Sequence, residues 1–371
     1  MSARSHRAAG ALRATALAVL ALVPVLLFAT RGSAQIDPLL VQANARAVEK
    51  GLDLLANTQN PDGSWHSNVG FKLMETYQVT NSIEEQLIRG GGHIGVTALA
   101  SMAFMAGGNL PGRGKYGRNI EKGLEYVLSR VKEDGYITDN GTRMYSHAFA
   151  TLFLAEIYGM THRKDVQLKL QMAVDLIVKS QNKLGSWRYL PFAPDSDMSI
   201  TVCQIMALRA ARNIGIRVPR STIDRAVDYV KQSAYTTGPY RGGFKYQRRN
   251  DQPTRTSFAL TAAGITTLHN AGVYSDKLIE EGLDYLKNEF HSMSDMSNHY
   301  FYFYGHYYAV QAMYIAGGNY WNWYWPRIQA ELIREQEEDG SWENNVSPAF
   351  GTAVATLILQ IPNQYLPIFQ R

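Results

Sequence analysis

Two kinds of helical pattern alternate along this chain. The first is amphipathic. Ala47-Val48-Glu49-Lys50-Gly51-Leu52-Asp53-Leu54-Leu55 places apolar residues at i, i+3 and i+4, one buried stripe opposite a wet face. Related stretches begin near Ile120, Leu170, Ile223, Leu278 and Arg327, and Gly51-Leu52, Gly123-Leu124 and Gly282-Leu283 occupy corresponding positions in three of them. The second kind carries few charges and many small residues, as in Gly95 to Ala103, Ala150 to Ala155 and Thr201 to Leu208. Others start near Phe258, Tyr307 and Thr352. A helix that is apolar nearly all round is buried. The alternation predicts six hairpins, each an outer helix followed by an inner one. Gly107-Gly108, Gly159, Gly272 and Gly317-Gly318 follow inner helices as stop signals.

The turn inside the hairpin repeats too. Gln-x-x-x-Gly-Ser-Trp occurs at Gln59/Gly63/Trp65, Gln181/Gly185/Trp187 and Gln336/Gly340/Trp342. A phrase recurring at the same place in the pattern marks a structural repeat. Glycine permits the tight turn, tryptophan fills the wedge between hairpins, and glutamine can bond a free helix end. An open solenoid needs polar caps at both ends, yet the last helix, Thr352 to Ile361, is apolar. Closure into an all-α (α/α)6 barrel, or toroid, removes that difficulty. The six inner helices then run parallel, and their N-termini, with free N–H groups, gather around one mouth.

Composition narrows the setting. Residues 1–34 read as a signal peptide: Arg4, Arg7 and Arg13, an apolar run from Ala14 to Thr30, then Gly32-Ser33-Ala34 before Gln35. An uncleaved anchor is the alternative, although the run falls short of the roughly 20 residues a span needs. The expectation is an exported protein, periplasmic or secreted, whose single domain covers 35–371. No later segment is apolar enough to span a bilayer, while contact with a membrane stays open. The basic balance resides in the leader. Without it 33 basic and 32 acidic residues remain, a net charge of +1, which argues against nucleic acid as a partner. Cys203 is the lone cysteine, so no internal disulfide can form and a cysteine-rich zinc site is excluded. Gly112-Arg113-Gly114-Lys115-Tyr116-Gly117 matches a dinucleotide fingerprint only formally, because it follows a loop and not a strand. No cofactor and no metal are expected.

The repeated phrase resembles the "QW" motif of the prenyltransferase and squalene-cyclase repeat family. The resemblance covers residues 45–360, with degenerate copies at Asp134-Gly135-Tyr136 and Gly242-Gly243-Phe244-Lys245-Tyr246, and none in the fifth hairpin. It implies an α/α toroid. Its implication for function is looser, because the repeat is architectural. Pro194-Asp195-Ser196-Asp197-Met198-Ser199 sits where squalene–hopene cyclases carry D-x-D-D. Carried over, Asp195 matches the first acid and Asp197 the middle one, which protonates a C=C bond; Met198 departs from the pattern. The plain alternative makes Asp197 or Ser199 a helix N-cap. Full cyclases also enclose the substrate between two α-domains, and this chain holds one. The zinc ligands and DDxxD of prenyltransferases have no counterpart.

Candidate chemistry gathers at the mouth. His93-x-x-x-Thr97 and His147-x-x-x-Thr151 share one spacing, and His306 follows Tyr304-Gly305, so three histidines could converge on the axis. Tyr145, Thr201, Gln204, Tyr307 and Thr352 complete the set of cavity candidates. Residues 300–325 hold 13 of the 41 aromatics, suited either to packing or to a pocket that accepts cations, polyprenyl chains or sugars. The long connection at 66–92 is expected to form a partial lid.

The main reading is an exported cyclase-like toroid holding an isoprenoid or another apolar ligand. Asp197 would be the acid, with Asp195 and His147 as partners. The alternative is a non-catalytic toroid that binds a peptide, a glycan or a protein; polysaccharide cleavage rests on barrel shape alone. If the leader is cleaved as read, N-terminal sequencing of the exported protein returns Gln35 as the first residue; retention of the leader's arginines would show an anchor instead.

Overall fold

The computed structural model describes residues 38–68, 91–248, 255–293 and 301–370. Among these residues there are twelve α-helices, and the only β features are isolated bridges. In chain order they are α1 (Pro38–Asn57), α2 (Ile94–Ala106), α3 (Gly117–Ser129), α4 (Met144–Thr161), α5 (Lys164–Ser180), α6 (Met198–Asn213), α7 (Arg220–Gln232), α8 (Phe258–Asn270), α9 (Lys277–Asn288), α10 (Tyr302–Ala316), α11 (Gly318–Arg334) and α12 (Pro348–Gln360). Odd-numbered helices are outer and even-numbered ones inner. The burial pattern separates them as the periodicity required: all 13 residues of α2 and of α8 are buried, whereas α7 buries only Thr222, Ile223, Ala226, Tyr229 and Val230.

The inner helices form a ring. Contacts run α2–α4, α4–α6, α6–α8, α8–α10 and α10–α12, and α12 returns to α2. The architecture is an (α/α)6 toroid. Closure is secured by polar bonds between the chain's two ends. Gln360 Nε2 donates to the Ala103 carbonyl at 3.1 Å, Asn44 Nδ2 to the Leu359 carbonyl at 3.2 Å, and Gln329 Nε2 to Asn44 Oδ1 at 3.1 Å.

The repeated turns interlock neighbouring hairpins. Gly63, Gly135, Gly185, Gly242 and Gly340 all have φ between +84° and +93°, a region that favours glycine. A Cβ on Gly63 would lie 2.2 Å from the Lys122 carbonyl oxygen of the next outer helix, and one on Gly185 2.2 Å from that of Arg225. On Gly340 it would lie 2.8 Å from the Lys50 oxygen of α1, so the sixth turn locks onto the first helix. The glutamines act at the same seam. Gln59, Gln181 and Gln336 each donate to the carbonyl of their own glycine and to a carbonyl on the next outer helix, namely Asn119, Thr222 and Ala47. Each tryptophan is fully buried, and its indole N–H donates backward to its own outer helix, at Leu55, Ile177 and Leu332. A turn thus bonds forward and backward at once.

Glycine also sets the spacing of the two layers. A Cβ on Gly51 would come within 2.7 Å of Thr356 in α12, and one on Gly123 within 2.4 Å of Ser101 in α2. The Gly-Leu pairs read from the sequence are therefore points where an outer helix rests on the inner helix of the preceding hairpin. The fifth hairpin uses a different device. Phe290, in the 3₁₀ turn Phe290–Met293, stacks edge-on against Trp323, Tyr324 and His306, with ring centroids 5.3 to 5.9 Å apart. An aromatic cluster replaces the glycine–tryptophan turn there.

After α12 the chain turns under the ring. Leu366, Ile368 and Phe369 are buried, the 3₁₀ turn Pro367–Phe369 packs on α6, and the Phe369 ring lies 6.3 Å from that of Tyr307. The tail is the floor of the lumen. Glu156 lies against it. Burial pushes its carboxyl up to about 8, against the lowering effect of the Ile368 backbone bond and of Arg209.

The seam makes a sharp demand on backbone space. Gly185→Ala is expected to cost roughly 3 kcal/mol or more, because left-handed strain adds to a clash with a carbonyl. Gly215→Ala has the same φ of +84° but open space around it, and is expected to cost only about 1–2 kcal/mol. Chemical denaturation of both variants checks the difference.

Candidate functional site

The mouth of the ring opens into a cavity of about 320 Å³, bounded by the first turns of the inner helices. Ten of its 23 lining residues are aromatic: Tyr145, Phe149, Tyr189, Tyr246, Phe301, Phe303, Tyr304, Tyr307, Tyr308 and Phe350. The aliphatic wall includes Val96, Leu99, Leu260, Val346 and Val354. The polar groups besides the tyrosine hydroxyls are His93, Ser146, Ser199 and Ser257, with Arg143 and Arg255 as the charged members. Among the described residues no carboxylate and no carboxamide lines the cavity.

Helical phase decides which aromatics reach it. In α10, Phe303, Tyr304, Tyr307 and Tyr308 share the lumen side, whereas Tyr302 and His306 turn outward. His306 Nδ1 lies 2.8 Å from the Tyr324 hydroxyl, and its ring packs against Phe258. The aromatic-rich stretch therefore serves both packing and pocket. Tyr189 and Tyr246 arrive from the turns before α6 and α8, a placement that no helical periodicity announces.

Asp197 is the N-cap of α6. Its Oδ1 accepts the Ser199 N–H at 2.8 Å, the Ile200 N–H at 3.3 Å and the Ser199 hydroxyl at 2.5 Å. Its Oδ2 pairs with Arg188 Nη1 at 3.0 Å. It is fully buried, and Ser199 stands between it and the cavity. Burial pushes its carboxyl above the ordinary range, opposed by bonds from Ser199 and Tyr246 and by the Arg188 charge.

The partners expected for Asp197 are not the ones it has. Asp195 is exposed on the rim, where its backbone carbonyl accepts Asn182 Nδ2 at 2.7 Å. His147 faces the outer layer. Its Nδ1 accepts the Ile137 N–H at 3.1 Å, leaving Nε2–H to point at the Ala173 carbonyl 3.3 Å away. Arg188, Ser199 and Tyr246 surround Asp197 instead. The histidines do not converge either. His93 caps α2, its Nδ1 accepting the Val96 N–H at 3.1 Å, and lines the cavity; His147 and His306 point away from it. Among the described residues no cluster of His, Cys, Asp or Glu could hold a metal ion.

The shared spacing of His93/Thr97 and His147/Thr151 misleads by one helical turn. In four of the turns the residue at the tryptophan position sends its N–H to the inner helix: Trp65 to Thr97, Ile137 to His147, Phe244 to Thr261 and Trp342 to Thr352. His147 therefore corresponds to Thr97. Thr201 serves the third hairpin in a related way, 2.8 Å from the Ser186 hydroxyl, and Thr151 bonds back to the His147 carbonyl. Gln204 Nε2 donates to the Met144 carbonyl. Of the cavity candidates read from sequence, His93, Tyr145, Tyr304 and Tyr307 line the cavity; Thr97, Thr151, Thr201, Gln204, His306 and Thr352 do not. Cys203 is buried within α6. The expected lid lies almost wholly outside the described residues, as does the leader.

No family model and no curated protein matches the chain. Solved structures do. An inactive variant of the α-1,6-mannanase GH76A of Salegentibacter sp. HEL1_6, in complex with α-1,6-mannotriose, superposes with a TM-score of 0.60 at 8% identity, over 85% of this chain and 98% of that one. The cellobiose 2-epimerase of Spirochaeta thermophila DSM 6192 gives 0.59 at 12%, over 91% and 100%. A type II terpene cyclase from Scytonema, in complex with geranylgeranyl dihydroxybenzoate, gives 0.54 at 11%, over 89% and 99%. At such identities the likeness shows the toroid fold, one shared by glycosidases, sugar isomerases and terpene cyclases.

Burial pushes His147 down to about 4. Its folded value lies below the ordinary 6.5, so its bonds contribute fully above pH 6.5 and are lost as pH falls toward 4. The stability gap between the wild type and His147→Gln should therefore shrink by roughly 2–3 kcal/mol from pH 7 to pH 4. Urea denaturation at the two pH values checks this.

Proposed function

We propose that this toroid binds a predominantly apolar, isoprenoid-like ligand in the mouth cavity. One observation carries the reading: the wall is aromatic and aliphatic, and no described carboxylate or carboxamide faces it. Sites that recognise sugars through their hydroxyls rely on convergent polar groups, and hydrolysis of a glycosidic bond uses a pair of carboxylates flanking it. The described wall supplies no carboxylate, and its area is dominated by aromatic and aliphatic groups. A volume of about 320 Å³ falls at the lower end of the roughly 300–1,000 Å³ typical of small-molecule sites. The N-terminal leader supports a place outside the cytoplasm, and no described helix is long and apolar enough to cross a membrane.

A glycan is the second reading, and the fold neighbours favour it at least as strongly. A mannanase and a sugar epimerase superpose as well as or better than the terpene cyclase, and aromatic faces also stack on the apolar faces of sugar rings. Acid-catalysed cyclisation would require a proton delivered to a C=C bond. Asp197 does not line the cavity and could deliver one only through a neighbouring hydroxyl such as that of Ser199, so binding, and not turnover, is the function the geometry supports best.

Titration calorimetry with geranylgeraniol in a mild detergent and with α-1,6-mannotriose separates the readings. The expected outcome is saturable binding of the isoprenoid alcohol with a dissociation constant of about 1–10 μM and none of the sugar below about 1 mM. Leu99→Trp, which fills the aliphatic wall, should weaken it at least about tenfold. Binding of mannotriose alone would replace the apolar reading with the glycan one.

A further inference from the structure

The tyrosines of the cavity differ in how their hydroxyls are satisfied. Toward the rim, Tyr145 bonds Ser199, and the Tyr189 and Tyr246 hydroxyls bond each other at 2.8 Å, so these groups have partners within the protein. In the second turn of α10, Tyr307 and Tyr308 also line the cavity, and neither hydroxyl has a hydrogen-bond partner. Both residues are buried, at 3% and 0% exposure. Buried hydroxyls in folded proteins are nearly always bonded, because an unmade bond costs the desolvation of the group. Two neighbours in one cavity wall that both go unpaired mark a place where a bound molecule supplies the acceptor.

Their position is deep. Tyr307 crosses the lumen from α10 toward α4, where its ring meets that of Phe149 at 5.9 Å, and the Phe369 ring of the tail lies 6.3 Å beneath it. The Tyr308 ring stands edge-on to that of Tyr307 at 5.1 Å. Burial pushes both phenols well above their ordinary value, and Cys203 of α6 acts on both in the same direction, joined at Tyr307 by Glu156. Both therefore keep their protons at neutral pH and stand as O–H donors.

Resting on the apolar-ligand reading, we propose that Tyr307 and Tyr308 form a hydrogen-bond-donating station at the foot of the cavity, and that the ligand is an apolar chain ending in a carbonyl group, which enters oxygen first. A carbonyl oxygen offers two lone pairs, one for each phenol, and brings no proton that needs an acceptor of its own. A hydrocarbon leaves both donors unpaired. A carboxylate accepts as well, but carrying a full charge to the buried end of an aromatic cavity costs far more than two neutral donors return. The wall above, with Val96, Leu99 and Val354 among its aliphatic members, then holds the chain, whose far end lies at the mouth.

The test compares farnesylacetone, a methyl ketone, with the analogue in which C=CH2 replaces C=O, which keeps length and shape and removes the acceptor. Titration calorimetry in a mild detergent gives the ratio of the two dissociation constants for the wild type, Tyr307→Phe, Tyr308→Phe and the double variant. Comparing ratios cancels the different affinities of the two compounds for detergent. The ratio is expected to shift against the ketone by about three- to tenfold in each single variant and by about tenfold or more in the double variant. The infrared carbonyl stretch of the bound ketone should lie at lower frequency in the wild type than in the double variant. Each substitution removes a hydroxyl that has no partner, so the urea midpoint of the ligand-free protein should be unchanged or raised; a midpoint lowered by both single substitutions shows hydroxyls already bonded and overturns the inference. A ratio unchanged in the double variant also overturns it and leaves the apolar reading standing. Binding of neither compound by the wild type overturns that reading and the inference with it.

Discussion

The contact on which the molecule depends is backbone against backbone, where the glycine of five of the six hairpin turns meets the next outer helix. At Gly63, Gly135, Gly185 and Gly242 a Cβ would stand 2.2 to 2.4 Å from a carbonyl oxygen. No side chain larger than hydrogen fits, and no other residue holds that φ without strain. The approach brings the glutamine within reach of a carbonyl on the neighbouring helix, and the tryptophan fills the wedge behind it. Because five of the six turns repeat this geometry, those hairpins pack against their neighbours in a similar way. Gly340 meets Lys50, and the ring is closed by the contact that built it.

Closure has a chemical consequence. Six inner helices point their first turns at one opening, so the N-cap position of each becomes a place on the rim. Those positions hold His93, Arg143, Asp197, Ser257, Phe301 and Ser347. The ring needs no particular residue there beyond one that caps or packs, and so this is where the chain can vary its chemistry without disturbing the seam. The residue one helical turn further in does structural work: Thr97, His147, Thr261 and Thr352 receive the N–H of the turn. Rim and seam thus lie one turn apart on the same helices, which divides binding from architecture.

The lumen is shaped from both ends. Inner-helix aromatics line it from the side, and the tail carrying Phe369 reaches up to Tyr307 from beneath. A ring of six helices would otherwise leave an open bore. Behind the wall Asp197 serves as helix cap and ion-pair partner, accepting from Ser199 and pairing with Arg188. Each of these roles offsets part of the cost of burying a charge.

The sequence alone determined the hairpin count, the order of outer and inner helices and the identity of the turn, because these rest on local periodicity and on a repeated phrase. Gln59, Gly63 and Trp65 have the same partners as Gln181, Gly185 and Trp187, so a pattern within the chain was enough to read them. Even closure was legible, from an apolar final helix that had to be covered. Only the tertiary structure decided what the mouth contains. Whether His147 faces the lumen or the outer layer depends on helix phase, and a rotation of about 100° per residue is finer than a shared spacing can fix. Tyr189 and Tyr246 come from turns, where no period applies. Whether Asp197 meets a ligand or a cap depends on where Arg188 and Ser199 stand in space, and those positions follow from the packing of the hairpins rather than from any stretch of residues read by itself.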